Sequence, residues 1–178
     1  MAEYIPRLTS DGIEGNRLWY SDNPFYQSGY GLPNCTCYAW GRFWEIANGD
    51  SDKRPNLSLS DANNWYSHSD DYERSQIPAL GSVLCLYGGN YSGLGHVAIV
   101  EEINSDGSIM TSESAYNAYY WELRRRVPPD YSYSPYDGYV FQGFIINPYA
   151  GDTPVPPHGD KFKWWLSEPI LRRRNYAF

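Results

Sequence analysis

The run Pro33-Asn34-Cys35-Thr36-Cys37-Tyr38-Ala39-Trp40-Gly41-Arg42-Phe43-Trp44-Glu45-Ile46-Ala47 constrains this chain more than any other stretch. It reads as a helix with a thiol on its first turn. Asn34 is a good N-cap, because its side-chain oxygen accepts an orphan backbone N–H. Gly49 supplies a left-handed stop just past Ala47. Cys35, Ala39, Phe43 and Ile46 follow helical spacing and form one inward apolar stripe. Cys35 stands at the mouth of that stripe, where the helix dipole and free N–H groups favour a reactive thiolate. Cys37 lies two residues on, about 200° around the helix, and points elsewhere. An unbonded cysteine in a helix is more often small core packing than a nucleophile, so the rest of the chain has to decide.

The length of 178 residues suits one domain with a real core. The formal net charge of −7 argues against a nucleic-acid partner, which normally meets a basic footprint. Aromatics make up 17 % of the chain, with 18 Tyr and 7 Trp, enough for some to stand exposed and grip a polymer or sugar. No apolar run approaches the length of a membrane span, and Met1-Ala2-Glu3-Tyr4-Ile5-Pro6 lacks the basic start and apolar region of a signal peptide. Three cysteines form no framework of pairs, which implies thiols made and kept reduced in a cytoplasm. Structural zinc usually needs four ligands in recognisable pairs. Three Cys and three scattered His offer no such set, so neither a metal nor another cofactor is expected.

Residues 1–33 lack sustained periodicity and are punctuated by turn signals at Asp11-Gly12, Glu14-Gly15-Asn16, Asp22-Asn23-Pro24 and Ser28-Gly29-Tyr30-Gly31. They read as an ordered aromatic arm leading into the helix. After a polar loop from Asn48 to Ser58, Ser60 or Asp61 caps a short helix through Ala62, Trp65 and Tyr66. The charged stretch Ser67 to Gln76, with His68, reads as solvated surface. A β block follows. Val83 to Tyr87 reads as a central strand with Cys85 in the core, and His96 to Ile103 as a strand opened by a histidine. Ser108 to Ser114 carries Glu113 in an otherwise uncharged run, and Tyr119 to Arg126 and Tyr139 to Ile146 complete about five strands. Arg124-Arg125-Arg126 reads as a solvated strand end. The chain thus divides into a domain over 1–147, a Pro/Gly linker over 148–160 and an aromatic, basic tail over 161–178. Residues 148–178 hold five basic and three acidic groups, a net of +2 against −9 for the rest. The tail is expected to fold back on the domain or to dock on a partner.

A helix-start cysteine, then a strand-opening histidine, then a polar residue on a following strand is the order of papain-like thiol enzymes. The imidazole takes the thiol proton and returns it to the leaving amine. The third group fixes the imidazole tautomer, and N–H groups at the helix start can hold an oxyanion. With Asn34-Cys35-Thr36-Cys37-Tyr38-Ala39 and Arg42, Gly95-His96-Val97-Ala98-Ile99-Val100, Ser112-Glu113 and the strand opening at Gly81, the chain resembles the CHAP domain, the cysteine, histidine-dependent amidohydrolase/peptidase, over roughly Tyr30 to Ile146. The resemblance implies a papain-like α+β fold, N-terminal helices packed on an antiparallel sheet of five to six strands. It implies Cys35, His96 and Glu113 as catalytic residues and peptidoglycan as substrate. The bond cut would be that of an N-acetylmuramoyl-L-alanine amidase or of a stem or cross-bridge endopeptidase. A bacteriophage lysin is the expected setting, made in the host cytoplasm and reaching the wall after holin-dependent release or as part of the virion, with 161–178 as a possible wall or virion contact. Asn34, Thr36, Tyr38, Trp65, Tyr91, Tyr116 and Asn117 are candidates for the oxyanion site or the substrate groove. Some family members carry an Asp-rich calcium loop beside the cysteine; here Tyr26 to Leu32 holds no acid, and no metal site is carried over.

The third residue depends on the hairpin after Ile103. A four-residue loop, Asn104 to Gly107, puts Glu113 opposite Ala98 and diagonal to His96. A two-residue Asp106-Gly107 turn brings Asn117 opposite His96 instead, and a three-residue loop turns Glu113 to the wrong face. Two other classes compete with a peptidoglycan hydrolase. One is a virion or wall-binding protein that keeps the fold without turnover, and the other is a cytoplasmic thiol enzyme acting on protein amides.

Overall fold

The computed structural model describes residues 4–90, 92–132 and 136–151. The expected linker from 152 onward and the tail over 161–178 lie outside the described residues. A one-turn helix α1 (Pro24–Gln27) precedes α2 (Cys35–Ile46). Strands β1 (Arg74–Ser75), β2 (Val83–Gly88), β3 (His96–Ile103), β4 (Ile109–Glu113), β5 (Glu122–Arg126) and β6 (Tyr139–Ile145) follow. They form one antiparallel sheet in the order β1-β6-β2-β3-β4-β5. This is the expected α+β, papain-like arrangement of five to six strands, with the short edge strand β1 pairing with β6 to make six. Among the described residues no helix is long and apolar enough to cross a membrane.

Helix α2 departs from the single inward stripe. Every residue from Thr36 to Trp44 is buried, so the helix is covered on all sides rather than along one face. The sheet covers one side through Val83, Cys85, Val97 and Ile99. The N-terminal arm covers the other, with Ile13, Leu18, Trp19 and Phe25 in the same cluster. Trp19 Nε1 donates to the Tyr38 carbonyl, and Asn23 Nδ2 donates to that of Cys37. Gly41 is what lets the arm come so close: a Cβ there would stand 2.5 Å from the Trp19 ring and 2.8 Å from the Leu18 carbonyl. The arm is therefore half of the helix's packing, a role its irregular sequence did not announce.

Behind α2 lies a buried ionic knot. Arg42 donates from Nε and Nη2 to both oxygens of Glu101, each at 2.9 Å. The same carboxylate accepts from Tyr4 Oη, the Arg7 backbone N–H and Ser112 Oγ. Burial pushes the Tyr4 hydroxyl well above its ordinary range, and the Glu101 charge adds to that. The far face of the sheet carries a second core of Leu84, Leu86, Ala98, Val100, Ile109, Tyr131 and Phe144.

Candidate active site

Asn34 caps α2 as its sequence implies. Its Oδ1 accepts from Thr36 N at 2.9 Å, Thr36 Oγ1 at 2.7 Å and Cys37 N at 3.3 Å. Its own backbone N–H donates to Ser114 Oγ at 3.0 Å, and Ser114 Oγ donates to the Tyr119 carbonyl. Ser114 thus fastens the first turn of α2 to the end of β4, one residue past Glu113. Sequence reasoning passed over it; strand alternation, which turns 114 to the opposite face from 113, was the available signal. Of the three free thiols Cys35 is partly accessible, while Cys37 and Cys85 are buried. Burial pushes the Cys37 thiol up to about 12 and Cys85 higher still.

His96 opens β3, directly after Gly95. Gly95 has φ +81°, and a Cβ there would meet Asn63 Oδ1 at 2.5 Å and the Leu86 carbonyl at 2.6 Å, so only glycine delivers the histidine at this point of the sheet. The His96 Nε2 bonds to Glu113 Oε2, and the Cys35 side chain lies close enough to the imidazole to favour its charged form. Since Glu113 occupies Nε2, Nδ1 is the nitrogen that meets the thiol. The Tyr139 ring packs against the imidazole, centroids 6.0 Å apart.

The hairpin reaches this geometry by a route the sequence reading excluded. Asn104 N donates to the Ser108 carbonyl and Gly107 N to the Asn104 carbonyl, which makes a three-residue loop closed by Gly107 at φ +82°. By itself such a loop turns Glu113 to the wrong face. A β-bulge corrects it. Val100 pairs with Thr111 and Glu102 with Met110, leaving Glu101 as the extra residue. Beyond the bulge Ile99 pairs with Ser112, and continuing that register sets Glu113 opposite Ala98, as the four-residue loop would have done.

Glu113 is fully buried, and two arginines face it. Arg126 Nη2 donates to its Oε2 at 2.6 Å, and Arg124 Nε stands 3.4 Å from its Oε1. The expected solvated strand end is therefore wrong for Arg126, whose side chain is 2 % exposed, and holds only for Arg125, which pairs with Asp106 at the surface. In β5 the arginines alternate, so Arg124 and Arg126 share the face of Glu113 while Arg125 takes the other. Burial would push the Glu113 carboxyl up, but Arg126 and His96 outweigh it and hold it well below the usual carboxylate range. Burial would push His96 down, but the Glu113 charge and the nearby Cys35 side chain hold it above the ordinary imidazole value.

Other sequence candidates fall elsewhere. Trp65 is a core residue stacked on Phe25, not a groove residue. Tyr38 is buried too, its hydroxyl accepting from Trp121 Nε1, because α2 has no solvent face. Thr36 spends its N–H and hydroxyl on the cap. Asn117 sits exposed at φ +56° in the turn from Ala115 to Tyr119, away from His96, so it does not take the position opposite the imidazole. Tyr116, in that same turn, is 60 % exposed. Tyr91 lies outside the described residues. Among the described residues no three His, Cys, Asp or Glu side chains gather as a metal would require. A cavity of about 500 Å³ beside Trp40, Arg54, Leu57 and His68 includes none of Cys35, His96 and Glu113.

A helix-start thiol beside a strand-opening imidazole, which is backed in turn by a buried carboxylate, is the layout of papain-like thiol hydrolases. The chain belongs to the CHAP domain family, whose model matches residues 25–115. It is 36 % identical over 120 residues to the N-acetylmuramoyl-L-alanine amidase sle1 of Staphylococcus epidermidis, covering 66 % of this chain and 35 % of that protein. It is 31 % identical to the probable autolysin SsaALP of Staphylococcus aureus, covering 70 % and 43 %. The chain thus spans about a third of the length of the sle1 amidases it matches. Among solved structures, an N-acetylmuramoyl-L-alanine amidase from Staphylococcus aureus superposes with a TM-score of 0.47 at 26 % identity, over 66 % of this chain and 31 % of that one.

Proposed function

We propose that the chain hydrolyses an amide bond of bacterial peptidoglycan through a thiol mechanism in which Cys35 is the nucleophile, His96 the general base and acid, and Glu113 the group that orients and charges the imidazole. The observation that carries it is the His96 ring held between Cys35 and Glu113. His96 Nδ1 takes the thiol proton as Sγ attacks the amide carbonyl, and it returns that proton to the leaving amine. Water then attacks the acyl-enzyme thioester, giving its proton to Nδ1, and Cys35 leaves with the acid released. The negative charge of Glu113 favours the imidazolium formed in both halves.

Two donors suit the oxyanion. No described residue accepts from the Cys35 backbone N–H. Asn34 has Nδ2 left to offer once its Oδ1 is spent on the helix. Tyr139 and Tyr116 are the aromatics placed to meet a substrate beside the imidazole and past Glu113. The amidase names of the relatives favour the bond between N-acetylmuramic acid and L-alanine over a stem or cross-bridge bond. The phage setting and the role of 161–178 rest on the sequence alone. Turbidity of purified peptidoglycan should fall with the native chain and not with Cys35→Ala. Equal clearing by both would remove the mechanism, and clearing by neither would favour a wall-binding protein.

A further inference from the structure

Glu113 is held from two directions through one oxygen. Oε2 receives His96 Nε2 and Arg126 Nη2, while Oε1 accepts no hydrogen bond among the described residues. Arg126 is itself fixed at each end of its guanidinium: Nε donates to Thr111 Oγ1 at 3.2 Å and Nη1 to the Tyr131 carbonyl at 2.9 Å. Thr111 lies two residues before Glu113 on the same face of β4. Tyr131 belongs to the second core. The guanidinium therefore has one orientation, and that orientation dictates where Oε2 sits. A buried carboxylate with only a histidine beside it would pick up a proton or swing between partners.

We propose that Arg126 is the positioning residue of this site: clamped to Thr111 and Tyr131, it pins Glu113 as a charged and immobile partner of His96. The proposal rests on the Cys35–His96–Glu113 reading. It also gives a reason for the bulge at Glu101, which turns Glu113 to the face where Arg126 waits. The charged and titratable groups around the carboxylate are His96 from β3, Arg124 and Arg126 from β5, Cys35 from α2, Tyr139 from β6 and Tyr119 from the turn before β5. Glu122, also on β5, engages Arg124 at 2.8 Å. Arg124 Nε also stands 3.4 Å from Glu113 Oε1, and Arg126 is the arginine bonded to Oε2.

Because Arg126 is buried, its loss should lower kcat and leave KM unchanged. A group that orients a functional residue is worth about 10- to 100-fold in comparable outer layers of metal sites, and a fall of that size is expected for Arg126→Gln. The direct readout is the Glu113 carboxyl, followed by carbon NMR of glutamate-labelled full chain across acid pH. In the native chain it should remain ionised through the ordinary carboxylate range. In Arg126→Gln it should titrate at clearly higher pH, the acid limb of kcat should move up with it, and Arg126→Lys should restore part of both. A folded Arg126→Gln with native Glu113 titration and native kcat overturns the proposal, as does a loss of kcat that only tracks the unfolded fraction. If Arg126→Gln does not fold, Arg126→Lys and Thr111→Val carry the test, since each loosens the clamp and should move the titration in the same direction. Native titration in both overturns it. A native chain that cleaves no peptidoglycan defeats the hydrolase reading alone; the titration still decides whether Arg126 holds the carboxylate.

Discussion

Cys35 is one of three thiols, and its surroundings alone set it apart. Cys37 and Cys85 are sealed in the core and held as thiols by burial. Iodoacetamide should therefore label Cys35 first. Cys35→Ala should abolish hydrolysis, because removing a nucleophile costs on the order of a millionfold in rate, whereas Cys37→Ser and Cys85→Ser should keep turnover while losing stability through a buried hydroxyl. Glu113→Gln should also lower the rate, by less than the ~10⁴ seen when the Asp of a serine triad is replaced, since a thiolate forms more easily than an alkoxide. The structure adds a stability cost the sequence did not foretell. Arg126 would lose its buried counter-charge, which costs about 3 kcal/mol or more. The pH dependence follows from the two shifts. Glu113 is lowered, so its contribution is present above the ordinary carboxylate value and is lost as pH falls through its folded value. His96 is raised, so its contribution is complete below the ordinary imidazole value and is lost as pH rises through its folded value. The gap in urea midpoint between native chain and Glu113→Gln should be widest between roughly pH 4.5 and 6.5, and should narrow on both sides. At this scale the sequence was legible in Cys35 and His96, which sit in local patterns. Arg126 was not legible, because a strand-end arginine run looks solvated until a partner strand brings it a carboxylate.

Helix α2 and the β3–β4 hairpin are the elements that set the geometry. The helix was readable nearly to the residue, since an Asn cap, helical spacing and a glycine stop agree with each other. The hairpin was readable as a hairpin but not in its register. Loop length and bulge each shift the face by one residue, and only their sum is visible in the position of Glu113. The bulge is held by Arg42 from another element, which no inspection of residues 96–113 can reveal. A second link between the two elements is the bond from the Asn34 N–H to Ser114 Oγ. Ser114→Ala should leave a buried donor unsatisfied, costing about 1–3 kcal/mol. It should also reduce kcat with the far-UV spectrum unchanged, because α2 is then free to shift Cys35 against His96. Native kcat in this variant would show that the helix is positioned by packing alone.

For the molecule as a whole, the arm decides what counts as the domain. The family match begins at residue 25, yet Ile13, Leu18 and Trp19 close the core around α2, and Tyr4 and Arg7 enter the Glu101 knot. A chain begun at Phe25 should lose its cooperative thermal transition, whereas the family boundary alone would let it fold. The six-stranded sheet was largely legible because its central strands are short apolar runs bounded by clear turn signals; the arm was not, because its contacts are made by turns. Chelation by EDTA should leave hydrolysis intact, as the proposed steps draw on Cys35, His96 and Glu113. Recovery of lost activity by added calcium would contradict this. The central claim is that Cys35 opens an amide bond of the wall. It is tested most directly by mass spectrometry of the soluble products from purified peptidoglycan treated with the native chain and with Cys35→Ala. The account expects stem peptides with a newly freed N-terminal alanine from the native chain and none from the variant. The same fragments from both chains, or no new amine terminus from the native chain, would contradict it.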